Sequence, residues 1–201
     1  MAKTEQFFSP EQIDILGETF NISLGSSSKA INQILDKSVS ITEPKVEVIT
    51  VDEFHLSELG YVLAVEITYV KGLKGRNLLL LKKNDIRKIL EIMMMSEFDE
   101  ATFEIDEIGE SAVCELMNQM MGSAATAMSN FLDMTVDIST PKTYRIMNEM
   151  LFKMEYFEKG QIITLVRFDI DIADTLKSEF YNIMSLDFAQ DIIKFAQEAN
   201  K

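Results

Sequence analysis

The sequence predicts an α+β protein built from two related halves, each with helices packed on a largely antiparallel sheet. Three observations lead to this fold class. One stretch of the chain occurs twice at a fixed offset, a helix-start signal precedes each copy, and segments rich in β-branched and aromatic residues with hairpin-like spacing follow each copy. At 201 residues the chain is long enough to bury a large core.

The repeat is clear without any gap in the alignment. Residues 18–45 laid over 115–142 give eleven identities in 28 positions, where chance would give about two. The offset of 97 residues is too long for a solenoid, and the connecting segment 96–102 contains no Gly or Pro. We therefore predict a single domain over 1–201, made of repeats at about 9–95 and 105–201 that are related by a pseudo-twofold axis.

The first half begins with a strong helix-start signal. Ser9 is the predicted N-cap, Pro10 occupies the first helical position, and Gln12 is placed to complete a capping box. We predict that this helix ends at Gly25, where the missing side chain permits a tight turn, and that a second helix spans about 26–36.

The second half repeats this order, with Asp106 as N-cap, a break at Gly122 and a second helix at about 123–133. Predicted strands follow in each half, at 45–51, 61–70 and 76–82, and at about 143–155, 161–173 and 178–185. An amphipathic helix closes each half, at about 84–95 and 187–199. The predicted order is thus ααβββα, repeated.

Composition excludes several classes of function. The net charge of −14, from 33 acidic and 19 basic residues, disfavours nucleic acid as a partner. No apolar run reaches the roughly 18 residues of a membrane span, and the N-terminus lacks a signal-peptide pattern, so we expect a cytoplasmic protein without membrane insertion. A single Cys114 and a single His55 leave no disulfide and little basis for a transition-metal site.

A polar pattern recurs within the repeat. The first copy carries Asp14, Glu18, Asn21 and Pro44, and the second carries Ser111, Glu115, Asn118 and Pro141. With Asp14 set at zero and about 100° per residue, Glu18 lies near 40° and Asn21 near −20°, on one narrow helix face. Asn is a poor residue inside a helix, so its presence in both copies favours a functional site over accident. The prolines are better explained structurally, as residues that start or break strands at a sheet edge.

Glu and Asn alone make a weak independent active site, because they offer neither an activated nucleophile nor a metal cluster. They are suited to complete a site on another molecule. The Asn carboxamide has a donor and an acceptor that can hold a water in line with a reactive phosphoryl group, and Glu can pair with a lysine of the partner.

At these residues the chain resembles the CheC, CheX and FliY family of response-regulator phosphatases. The family motif is Asp or Ser, three residues, Glu, two residues, Asn, twenty-two residues and Pro, and both copies match it in full. The resemblance implies a CheC-like fold and a phosphorylated CheY-like regulator as substrate. The regulator would keep its own aspartyl phosphate, Mg²⁺ and lysine, so the chain needs no cofactor of its own. Glu18 or Glu115 would pair with that lysine, and Asn21 or Asn118 would orient the attacking water.

Two alternatives stay open at this point. The chain is either a free-standing CheC-type protein or the phosphatase part of a FliY, which would place it at the flagellar motor switch. Instead of a phosphatase, it can be a non-catalytic module that docks the regulator, a CheD-type protein or flagellar C-ring proteins. A small-molecule binding domain would require an enclosed pocket, which nothing in the sequence indicates.

Overall fold

The computed structural model describes residues 4–42, 44–56 and 62–199. Its helices are α1 Pro10–Leu35, α2 Lys83–Met94, α3 Glu107–Phe131, α4 Glu149–Tyr156 and α5 Leu186–Ala199. Its strands are β1 Val39–Ile41, β2 Lys45–Thr50, β3 Val62–Lys71, β4 Gly75–Lys82, β5 Asp137–Ile138, β6 Lys142–Ile146, β7 Ile162–Ile172 and β8 Leu176–Ser185. No helix in these described ranges is long and apolar enough to cross a membrane.

All eight strands form one sheet whose pairings are antiparallel, as the sequence predicted. The strand order is β1-β7-β8-β4-β3-β5, with β2 also pairing with β7 and β6 also pairing with β3. The order is symmetric about the β4–β8 pair, where Leu79 lies opposite Asn182. Each side of the sheet combines strands from both halves: β1 and β2 of the first half pair with β7 of the second, and β5 and β6 of the second half pair with β3 of the first. The α+β fold class is confirmed.

The helices and the sheet enclose the larger of two apolar clusters. Leu79 of β4 and Val166 of β7 belong to this cluster together with the buried faces of α1, α3 and α5. On the opposite face of the sheet, Leu78 and Leu80 form a smaller cluster with Phe152 of α4. Because β4 is buried on both faces, its sequence is a continuous run of leucines rather than an alternation of apolar and polar residues.

Both predicted helix starts are confirmed. The Ser9 hydroxyl accepts a hydrogen bond from the Gln12 amide at 3.2 Å, and the Ser9 amide donates to the Gln12 side chain at 2.9 Å. At the second start, the Asp106 carboxylate accepts from the Gly109 amide at 2.7 Å. These bonds satisfy amides that have no partner within the helix.

The predicted helix breaks at Gly25 and Gly122 are wrong. The helices α1 and α3 run through both glycines without interruption, so each half has one long helix where the sequence predicted two. An interior glycine costs a helix only about 1 kcal/mol relative to Ala, and packing on the sheet outweighs that cost. The serine that follows each glycine does not cap a new helix. Instead, the Ser26 and Ser123 hydroxyls meet at 2.8 Å where α1 and α3 contact each other.

The predicted strand at 143–155 is also wrong in its second part. The strand β6 ends at Ile146, and the chain then forms α4, which is capped by the Asn148 side chain accepting from the Leu151 amide at 3.0 Å. The starts of β3 and β7 lie 100 residues apart, against 97 for the motif residues, so the segment that leads to β7 is three residues longer than its counterpart in the first half. The helix α4 lies in this longer segment. Two short strands, β1 and β5, were not predicted.

Candidate functional site

The first copy of the motif lies on the solvent-facing side of α1. Asp14, Glu18 and Asn21 are all exposed, while the opposite side of the helix buries residues such as Leu16 and Phe20, which are 0% and 3% exposed. Within the described part of the chain, neither the Glu18 carboxylate nor the Asn21 carboxamide has a hydrogen-bond or ion-pair partner. Helical periodicity thus places the three side chains together, as predicted, and their polar groups are free for an external partner.

The second copy occupies the equivalent side of α3, but its side chains have more contacts within the protein. The Ser111 hydroxyl donates to the Glu107 carbonyl at 2.8 Å, and Glu115 accepts a hydrogen bond from the Gln119 amide nitrogen at 2.8 Å. Asn118 is half-buried and makes no hydrogen bond to any described residue. In the first copy the position of Gln119 holds Ile22, so Glu18 has no such neighbour.

Each motif proline lies beside its motif helix, at the helix residue that directly precedes the motif glutamate. A Cβ atom added to Gly17 would lie 3.9 Å from the Pro44 ring, and the Cys114 thiol donates to the Pro141 carbonyl at 3.5 Å. Gly17 and Cys114 are equivalent positions, and each directly precedes the glutamate. The prolines follow β1 and β5, which lie at the two ends of the strand order. Each proline is therefore next to the helix that carries its polar face.

The two copies differ in how the sheet edge is attached to the helix. In the second copy, Glu110 accepts from the Thr143 hydroxyl at 2.8 Å and from the Arg145 guanidinium at 2.9 Å. The equivalent positions in the first copy are apolar: Ile13, Val46 and Val48. An ion pair therefore fixes β6 against α3, whereas apolar packing holds β2 against α1.

No described side chain at either face is prepared to act as a nucleophile. Burial, with further contributions from Glu115 and Glu110, raises the pKa of the Cys114 thiol above its usual range, which disfavours the reactive thiolate. Among the described residues, no group of three or more His, Cys, Asp or Glu side chains could hold a metal ion. Each face can orient a polar group or pair with a cation. A nucleophile or a metal ion for a reaction at either face would have to come from a partner.

Sequence reasoning missed two contacts at these faces. The Gln119–Glu115 bond could have been found from its spacing, since residues four apart on a helix are neighbours. The contacts of Pro44 and Pro141 with the motif helices depend on how the sheet edge folds back, and no local pattern predicts them.

Comparison with known proteins agrees with the repeat and with the fold. A model of the CheC-like family matches residues 108–145, which include all four residues of the second motif. The crystal structure of FliY from Thermotoga maritima is 32% identical, with a TM-score of 0.85 over 96% of this chain and 98% of that chain. The chain belongs to the CheC/FliY family. The resemblance seen in the motif is thereby confirmed.

Two further similarities show how far the likeness to known proteins extends. The flagellar motor switch phosphatase FliY of Bacillus subtilis strain 168 is 35% identical to this CheC/FliY family member over 187 residues, which are 90% of this chain and 48% of that protein. The chain thus spans about half the length of its curated relative. The middle domain of FliM from H. pylori has a TM-score of 0.70 over 94% of this chain and 99% of that chain at 15% identity, a likeness of fold alone.

Proposed function

We propose that this protein hydrolyses the aspartyl phosphate of a CheY-like response regulator. The observation that carries the proposal is the duplicated Glu–Asn pair, which lies on a solvent-facing helix side with both carboxamides unbonded inside the described chain. A similar protein of B. subtilis is named a flagellar motor switch phosphatase, which supports the same reaction class here.

The chemistry needs little from this chain. Hydrolysis of an acyl phosphate adds one water to phosphorus and releases a carboxylate, so the main requirement is a water held in line with the departing oxygen. Asn21 or Asn118 would hold that water through its carboxamide, which can donate and accept at once. Glu18 or Glu115 would pair with a lysine of the regulator and fix the register of the two proteins. A Mg²⁺ ion on the regulator would neutralise charge on the phosphoryl oxygens.

Replacement of the two asparagines tests the proposal. Loss of a positioned hydrogen-bonding group of this kind typically costs about 10²–10³ in rate. We expect Asn21→Ala and Asn118→Ala each to abolish one site and leave the other working, and the double variant to fall to the regulator's own rate of phosphate loss. Phosphate release from a CheY-type regulator is the measurement, with Gln190→Ala on the exposed side of α5 as the control. Wild-type activity in the double variant would refute the proposal.

A second candidate is a non-catalytic docking or rotor module at the flagellar switch, which binds the regulator, a CheD-type protein or C-ring proteins. The observation that favours it is an exposed apolar surface on and just before α4, which contains none of the motif residues. Its members are Met147, Met150, Leu151 and Met154, which are 81%, 69%, 65% and 68% exposed. Under this function, the wild type would bind the regulator without accelerating phosphate release, and the asparagine variants would bind equally well.

A further inference from the structure

Two glycines have no explanation inside the protein. Gly25 and Gly122 lie in the interior of α1 and α3, are exposed, and would place an added Cβ atom in open space, with no heavy atom within 4 Å. Glycine is among the least favourable residues in a helix interior, and Ala at either position would strengthen the helix without meeting a neighbour. Nevertheless, glycine stands at this position in both copies of the repeat.

The other described glycines differ in this respect. Gly72 and Gly160 have φ angles of 76° and 71°, a conformation that side chains disfavour. A Cβ atom on Gly75 would overlap the Phe188 ring, one on Gly109 would come within 2.9 Å of Leu90, and Gly17 faces Pro44. Only Gly25 and Gly122, among the glycines that the structure describes, have neither a special backbone angle nor a neighbour.

Helical geometry places each of these glycines in line with its motif. At about 100° per residue from Asp14, Gly25 falls near 20°, between Asn21 near −20° and Glu18 near 40°. It lies one turn beyond Asn21, about 6 Å along the axis. Gly122 has the same relation to Asn118, because both pairs are four residues apart.

Two other identical pairs in this part of the repeat are accounted for internally. Leu35 and Leu132 are 3% and 4% exposed, and Ser26 and Ser123 bond to each other. The glycines instead share the solvent-facing stripe with Glu and Asn. What a glycine offers there is a gap in the side-chain layer, through which another main chain can approach the helix closely.

We propose that Gly25 and Gly122 are positioning residues that admit the main chain of the phosphorylated partner next to its aspartyl phosphate. The inference rests on the proposed phosphatase function and goes beyond it. The Asn side chain is short, so the helix itself must come close to the phosphoryl group for the carboxamide to hold the attacking water. A side chain one turn away would lift the partner from the helix, and a misplacement of about 1 Å can cost on the order of 10²-fold in rate.

The experiment isolates one site at a time. In an Asn118→Ala background only the first site works, and there we expect Gly25→Ala to lower kcat/KM for phosphate release about tenfold and Gly25→Leu about 100-fold. The same substitutions in an Asn21→Ala background, where the first site is already inactive, serve as the matched control and should change nothing. Gly122→Ala and Gly122→Leu are tested in the reciprocal way.

Thermal unfolding separates this role from a structural one. Gly→Ala in an exposed helix interior should raise Tm by about 2–4 °C, so we expect a more stable protein that is a poorer phosphatase. Wild-type kcat/KM in both the Ala and Leu variants would overturn the inference while leaving the proposed function intact. An effect of Gly25→Ala that is equally large when the first site is inactive would also overturn it. If the wild-type protein does not accelerate phosphate release, the proposed function and this inference fall together.

Discussion

Arg87 holds the connection between the two halves in place, and its removal should cost substantial stability. Its side chain is buried, with 7% of its surface exposed. The guanidinium donates to Glu91 at 2.7 Å within α2, and to the Phe98 carbonyl and the Glu100 carboxylate, both at 3.1 Å, in the segment that leads to α3. One side chain thus joins the last helix of the first half to the start of the second.

The size of the stability loss depends on the carboxylates that lose Arg87 as a partner. Removing one member of a buried ion pair costs about 3–5 kcal/mol, mainly because the other charge stays buried without its partner. Here Glu91 keeps a bond from Lys88 at 2.9 Å, and Glu100 is 78% exposed and can turn to water. We therefore expect Arg87→Ala to lower the free energy of unfolding by about 3 kcal/mol, near the lower limit. For a chain of this size the melting temperature would fall by about 6–12 °C.

The effect should depend on pH through Glu91. Burial alone would raise the pKa of Glu91, but hydrogen bonds from Lys88 and the Phe98 amide, together with the charge of Arg87, outweigh it and lower the pKa. A lowered pKa gives stability that is present above the unfolded value of about 4.3 and is lost as the pH falls further. The difference between wild type and Arg87→Ala should therefore shrink between pH 5 and pH 3 (about one unit to either side of that value).

Urea unfolding at several pH values measures both effects. Glu100→Gln is the matched control, because this exposed pair should contribute less than about 1 kcal/mol. A loss below about 1 kcal/mol for Arg87→Ala at pH 7, or a loss that does not diminish in acid, would show that the buried network does not hold the connection as described.

Two other predictions concern single positions. Gly72→Ala should destabilise the protein by about 2 kcal/mol or more, because φ is 76° there and the added Cβ would overlap the Thr135 carbonyl oxygen; a urea midpoint equal to that of wild type would contradict this. Cys114 should react slowly with a thiol reagent at pH 8 in the folded protein, since its pKa is raised, and at a normal rate in urea. Equal rates in both states would show that its surroundings do not disfavour the thiolate.

Local signals in the sequence predicted the parts of the fold that depend on local chemistry. The caps at Ser9 and Asp106 were correct because a side chain only has to reach an amide three residues away. The polar faces were correct because a regular helix fixes the angle between Asp14, Glu18 and Asn21 whatever surrounds it. The register of the repeat likewise placed the two copies on equivalent helices.

The errors arose where tertiary packing decides. Glycine weakens a helix but does not end one, and the contact of α1 with α3 at Ser26 and Ser123 carries both helices past the predicted breaks. Likewise α4 forms directly after β6 because Phe152 is buried against the outer face of the sheet. Neither contact is visible in a window of ten residues, since both join segments far apart in the chain.

The two candidate sites are similar in sequence but differ in structure. Glu115 accepts a hydrogen bond from Gln119, whereas Glu18 has no hydrogen-bond partner among the residues that the structure describes. An exposed pair of this kind is worth only about 0.2–0.5 kcal/mol, which corresponds to a factor of about 1.4 to 2.3. A larger difference between the sites would therefore need another cause. Under the proposed function, the half-buried Asn118 and an edge fixed by the Glu110–Arg145 ion pair at 2.9 Å are the features that would restrict how closely the regulator fits the second face.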